Sequence, residues 1–401
     1  MAVMLAMSGL ADPIAQWRDN PPPTEDPPAA APEEEPAAPR RPVLDNAPRA
    51  EQQTLSSLLT AEAWPRRAIA AICLERYGCD RSGEILRTLM KDRDWQVRAF
   101  AVRSLAMRRI SADEGWFADE HEPRVLRTAL RCRYPVEAER LSRGARYLAR
   151  SDNLEEKMLA VEIGAASGDE ELIELAKETA RKIILRMDRT EAGALSPRLA
   201  AITDTYDRRK RQSWQKWMRQ QGSRFAVRPG YFVPEGDVPQ PPSLFAALPS
   251  ERFAALQDYI NTLGDRDIDL AICLDCTASM SGELAAAQGG IDDMMLFVGD
   301  MVASLRVALV AYRDRGDDFE TKAGDFTTNI AEARRRLWQL LADGGGDTPE
   351  AVYPALRLAY TQLTWMYDHD KVLVLVGDAP PHVGFGGKCI DLARRAQEDT
   401  E

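Results

Sequence analysis

Three side chains carrying hard oxygen atoms stand two residues apart at the end of an apolar run. They are Asp275, Thr277 and Ser279 in DIDLAICLDCTASMSGE, residues 267–283. If the chain leaves a buried strand in extended form, that spacing turns all three to one side. They then meet beyond the carboxyl end of the strand, where open α/β sheets bind their ligands. Carboxylate, hydroxyl and water oxygens converging on one point suit Mg²⁺ or Mn²⁺, with Ca²⁺ as a further candidate. A purely structural account competes with this: a strand end followed by a helix that Ser279 or Ser281 caps, with Glu283 favoured by the helix dipole. That account covers Ser281 and Glu283 but gives no reason for Asp275 and Thr277.

Two later segments must be brought to the same place. Gly344-Gly345-Gly346-Asp347-Thr348-Pro349-Glu350 reads as a flexible loop with a proline near the start of the next helix, and it carries further oxygen donors. Lys371 to Gly377, KVLVLVG, reads as a strand buried on both faces that ends at Asp378. Two apolar strands thus each end in an aspartate. As parallel neighbours they would put both carboxylates on one edge of a sheet.

The order Asp275-Cys276-Thr277-Ala278-Ser279-Met280, then GGGDTPEA, then VGDAPPH resembles the von Willebrand factor type A (VWA) domain and its metal-ion-dependent adhesion site. It is most similar to the subset with an Asp-x-Thr-x-Ser-Met first loop, found in bacterial A domains and beside atypical α-kinases. The resemblance covers residues 265–401, a third of the chain. It implies a doubly wound, Rossmann-like α/β fold in which Asp275, Thr277 and Ser279 hold the ion and Asp378 acts through a water. It also implies one donor from the middle loop, either Asp347 or Thr348. An aspartate there would tighten the metal and weaken its pull on an acidic partner. Cys276 and His382 become candidates for the ring of residues that supports the donors. The implied activity is binding with no bond made or broken: one coordination position stays open, and an Asp or Glu carboxylate of a protein partner fills it.

Along the chain, 401 residues suit two or three domains, and a formal net charge of −11 argues against bulk affinity for nucleic acid or an anionic membrane. Residues 1–11, MAVMLAMSGLA, read as a clipped secretory signal or a frayed start, which tilts the expected location toward the extracytoplasmic side. No segment approaches membrane-spanning length. Residues 12–53 are rich in proline, alanine and acid and are expected to form a disordered spacer. Residues 54–220 read as helices. Within them WPRRAIAAICL (64–74) aligns without gaps on WQVRAFAVRSL (95–105), matching Trp64 with Trp95 and Arg67 with Arg98. A repeat of that length means stacked helix pairs, and KDRDWQVRAFAVRSL is similar to the second helix of a HEAT repeat. The basic stretch ending in Trp214 and Trp217 is expected to pack its tryptophans inward and expose its charges. Residues 221–264 connect this all-α solenoid to the α/β domain, which occupies 265–401. By the resemblance that domain lacks its last strand and helix, so an open sheet edge and a longer parent protein are expected.

The six cysteines show no zinc spacing. Ser279, His382 and Asp378 could be drawn as a hydrolytic triad. However, Ser279 lacks the glycine frame of a nucleophile elbow, and Asp275 and Thr277 would have no role. A further alternative makes the chain the regulatory region of a larger enzyme such as an atypical α-kinase. There is no Walker-type loop and no kinase signature set here. The expectation is therefore a metal-dependent, protein-binding scaffold protein rather than an enzyme.

Overall fold

The computed structural model describes residues 2–7, 44, 47, 49–79, 81–110, 119–132, 141–188, 191–203, 211–222, 224–227, 244–282, 284–346 and 349–398. Most of the expected spacer at 12–53 lies outside them, as do residues 223 and 228–243 of the connection between the two domains.

Among the described residues, ten helices form the first part: α1 Arg49–Leu59, α2 Trp64–Arg76, α3 Ser82–Leu89, α4 Trp95–Met107, α5 Pro123–Arg131, α6 Ser142–Leu148, α7 Leu154–Ser167, α8 Glu170–Arg186, α9 Glu191–Ile202 and α10 Arg211–Gln221. The aligned segments are α2 and α4, which pack on each other, and the repeated arginine does the same work in both. Arg67 donates to the carbonyls of Ala61 and Glu62 and pairs with Asp92 in the loop between α3 and α4. Arg98 donates to the carbonyls of Asp92 and Arg93 and pairs with Glu120. In each case the guanidinium ties the turn before its own helix to the turn before a later one, α4 for Arg67 and α5 for Arg98. Val97, Ala101 and Leu105 are fully buried between neighbours. At the far end Trp214 and Trp217 are buried against α8 and α9, and the Trp214 indole donates to Ser196 Oγ at 2.8 Å.

Two helices, α11 Leu244–Ala247 and α12 Ser250–Asn261, lead into the second part. Phe253 of α12 is buried edge-on against Tyr77, and the Arg76 guanidinium lies over its ring. The second part is an α/β domain. Its strands are β2 Asp267–Asp275, β3 Ser304–Tyr312, β4 Thr321–Thr327 and β5 Asp370–Gly377, and its helices are α13 Leu284–Gly299, α14 Ile330–Trp338, α15 Val352–Gln362 and α16 Gly386–Glu398. Every residue of β2 after Asp267 is buried, as a strand covered on both faces requires. Ile268, Leu270, Ile272 and Leu274 face the cluster that holds α13 and α14, and Ala271 and Cys273 face the one that holds α15. The sheet is mixed. β5, β2 and β3 run parallel, with Leu274 opposite Val376 and Asp275 opposite Tyr312, and β4 is antiparallel to β3. On the other side of β5, Ala2–Met7 forms β1, paired parallel from Val372 to Gly377. The stretch read from sequence as a signal or frayed start thus occupies the sheet edge expected to be open.

The helical part grips the two helices that flank the α/β domain's carboxyl rim. Phe297 of α13 meets Trp95 and Phe100 edge-on, at 5.5 and 6.2 Å between ring centroids. Arg127 pairs with Asp293, and Arg124 with Asp300. Arg334 of α14 is buried between Asp292 of α13 and Glu155 of α7, and Arg198 of α9 holds Glu155 and Glu162. A cavity of about 630 Å³ remains between α5, α7 and α13. Among the described residues no helix is long and apolar enough to cross a membrane.

Candidate metal centre

The carboxyl ends of β2, β3 and β5 lie at one rim because the three strands are parallel neighbours. Asp275 is the last residue of β2, Asp314 lies two residues beyond β3, and Asp378 directly follows β5. The rim is stitched by backbone hydrogen bonds between four loops. Cys276 N–H donates to Tyr312 O, Asp343 N–H to Cys276 O, Ala278 N–H to Gly344 O, Glu350 N–H to Pro380 O and Ala351 N–H to Arg313 O. Gly344 has φ +76° and comes so close to Asp317 that any Cβ would fall 2.5 Å from the carboxylate. Glycine alone meets both demands. Gly377 faces a similar limit, since a Cβ there would lie 2.3 Å from Tyr312 Oη and 3.1 Å from Asp275 Oδ2.

The first loop brings its three oxygens together as the spacing implied. Asp275 Oδ1 accepts from Thr277 N–H at 2.9 Å and from Thr277 Oγ1 at 2.7 Å, and Thr277 Oγ1 lies 3.0 Å from Ser279 Oγ. Asp275 and Thr277 are wholly buried, while Ser279 is exposed at the mouth. Asp275 Oδ2 is buried with no hydrogen-bond partner, and so are Asp378 Oδ1 and Glu350 Oε2. Burial pushes the Asp275 carboxyl above its usual range, and the charge of Asp378 adds to this against the hydrogen bonds from Thr277. Glu350 is pushed up to about 7, by burial first and then by Asp275, Asp314, Asp378 and Asp317. The rim is a place where carboxylates are held together without enough positive charge.

The rest of the molecule gives a contrast. Among the described residues eight Asp or Glu side chains are buried. Glu75, Glu120, Glu162, Asp269 and Asp292 each pair with an arginine, and Asp314 has His382 Nε2 at 3.0 Å. Asp275 and Glu350 make no ion pair among the described residues. The rim guanidinium, Arg313, donates to Leu341 O and lies over the Phe319 ring instead. A buried carboxylate without a counter-charge is costly and is met by protonation or by a cation. The orphaned oxygens of Asp275 and Asp378, beside two aligned hydroxyls, fit a small hard cation.

No known protein-family profile matches the chain. A segment of 115 residues is 28% identical to a putative ariadne-like RING finger protein of Acanthamoeba polyphaga mimivirus. It makes up 29% of this chain and 11% of that protein, so this chain spans a small fraction of its relative's length.

Of the residues singled out from sequence, Asp275, Thr277, Ser279 and Asp378 stand at the same rim, whereas Asp347 and Thr348 lie outside the described residues. The Cys276 thiol points away from the rim into the core shared with α13 and α14; its backbone joins the loops. His382 faces Asp314, and among the described residues no hydrogen bond links it to Ser279 or Asp378. No group of three or more His, Cys, Asp or Glu side chains among the described residues converges to hold an ion. The first-loop set has one carboxylate with two hydroxyls, and Asp378 was expected to act through a water. Asp314, Asp317 and Glu350 went unnoticed in the sequence. The signal for Asp314 was there, because RVALVAYRD is a third apolar strand running into an aspartate.

Proposed function

We propose that residues 265–401 are a VWA-type domain whose rim binds Mg²⁺ or Mn²⁺ and, through it, a carboxylate of a protein partner. The helical part is then a HEAT-like platform, and the chain works as a scaffold or assembly protein. Asp275, Thr277 and Ser279 would hold the ion, with Asp378 supporting it and the middle loop contributing from Asp347 or Thr348. When bound, the ion supplies a Lewis-acidic position and offsets the negative charge of the rim.

The observation that carries this reading is the pair of buried acids without a counter-charge, Asp275 and Glu350; among the described residues five of the other six buried acids pair with an arginine, and the sixth, Asp314, has the His382 ring beside it. The chain's own residues do the rest. Thr277 fixes one oxygen of Asp275 and leaves the other unbonded. Gly344 and Gly377 let the backbones close around it, and the Tyr312 phenol donates to Val376 O beneath it. Without the cation, the rim repels an acidic partner, so partner binding depends on metal outright. Affinity capture on the full chain with Mg²⁺ and with chelator tests this. Partners should be retained only with metal and should vanish in Asp275→Ala; retention that ignores both changes contradicts the reading.

A further inference from the structure

Next to Asp314 and His382, the loops that follow β3 and β5 place two cations on one aromatic ring. The Arg315 guanidinium lies over the Phe385 ring, 5.3 Å from its centroid. Lys388 Nζ lies over the same ring at 4.5 Å and over the Tyr353 ring at 5.8 Å. The two rings are 5.3 Å apart, so the starts of α15 and α16 build the platform together. The Phe385 N–H donates to His382 O at 2.9 Å, which ties the platform to the rim. Arg315 and Lys388 are both exposed. The rim beside them is acidic, yet among the described residues neither cation pairs with Asp275, Asp314, Asp317, Asp378 or Glu350. Arg315 meets Glu320 of its own loop at 3.3 Å, with both side chains exposed, and Lys388 meets no acid among the described residues. Cations kept to balance the rim would sit on its carboxylates. Lys388 moreover stands in the first turn of α16, where the helix dipole opposes a positive charge. Stacking on the rings orders two long side chains while leaving their charge in solvent.

We infer that Arg315 and Lys388, held on Phe385 and Tyr353, form a second contact point for the partner, and that the partner is an acidic polypeptide segment offering one carboxylate to the ion and another to this cation pair. Charge complementarity decides the occupant: the pair is a positive point at the margin of a rim that accepts acids only when its own charge is offset. One carboxylate on an ion leaves a segment free to swivel, and a second anchor fixes its direction. Exposed ion pairs add modest affinity, so the pair acts on the choice among acidic partners more than on binding outright. This rests on the metal reading given above.

The test uses the full-length chain with fluorescent synthetic peptides, in MgCl₂ and in chelator. One peptide carries a single aspartate in a neutral sequence, and a series adds a second aspartate at increasing separation. In wild type the best peptide of the series should bind about threefold tighter than the single-aspartate peptide, the size of effect an exposed ion pair supports. That gain should disappear in Lys388→Gln and shrink in Arg315→Gln, while binding of the single-aspartate peptide stays as it was. Lys388→Glu should prefer the same peptide with lysine in place of the second aspartate, a reversal that lost packing does not produce. If the single-aspartate peptide binds only with metal but a second aspartate adds nothing at any separation, or adds as much in both glutamine variants, the inference fails and the metal reading stands. If the peptides bind equally in chelator, the two-point mode falls with the metal reading. If wild type holds none of them, both fall together.

Discussion

At the residue scale, the centre rests on side chains that are absent as much as on those present. Gly377 is the sharpest case, because its missing Cβ leaves room for both the Tyr312 phenol and Asp275 Oδ2. Gly377→Ala should destabilise the fold by about 1–3 kcal/mol, the usual cost of overpacking, and should weaken Mg²⁺ uptake as well. Denaturant titration and calorimetry read the two effects separately; a neutral variant would mean that the strands part easily here. Legibility at this scale was uneven. Asp275, Thr277, Ser279 and Asp378 could be read because a strand end and a two-residue spacing announce them. Glu350 could not, since its place depends on a bridge to Pro381 and on loops from three strands, none of which leaves a local trace. The hydroxyl of Ser279 was rightly placed near Asp275, but the chain around it is a 3₁₀ turn, Ala278–Gly282, that strand-exit geometry does not foretell.

At the element scale, α13 follows the first loop and α14 precedes the middle one, and both are held by the helical part. Arg334 is the shared member, buried against Asp292 and Glu155. Removing it strands Asp292 and leaves Glu155 to Arg198 alone, so Arg334→Ala should cost about 3–5 kcal/mol in denaturant unfolding; a change under 1 kcal/mol would show that water reaches Asp292. Acid should loosen the same contact. Burial alone would raise the Glu155 carboxyl, but Arg198 and Arg334 hold it down to about 2 from an ordinary value of 4.5. A folded-state pKa below the unfolded one gives stability that is complete above about pH 4.5 and is lost as pH falls toward 2. Unfolding midpoints should therefore drop across that window, and less steeply in Glu155→Gln. Repeat arithmetic had matched Arg67 with Arg98, and the two arginines bind carbonyls five and six residues before them in the same way. The contact between α13 and the helices could not be read, since aromatic meetings such as Phe297 with Trp95 join residues about two hundred positions apart.

At the scale of the whole molecule, a helical part and an α/β domain share one charged and aromatic contact, and the rim lies at the loops that this contact steadies. The division into helical and α/β parts could be read from periodicity, because each part repeats its own apolar pattern throughout. The pairing of Ala2–Met7 with β5 could not, since a short apolar run at a chain start has the same composition whether it is cleaved, frayed or paired. If the rim holds a cation, the fold gains stability by linkage, rising with metal concentration above the dissociation constant. The central claim is that buried acids left without arginines are met by a divalent ion. Electron paramagnetic resonance of Mn²⁺ added to the purified chain counts the bound ions directly. The account predicts a single saturable Mn²⁺ per chain that Mg²⁺ displaces and that Asp275→Ala abolishes. A spectrum of unbound Mn²⁺ throughout, unchanged by the protein, would contradict it.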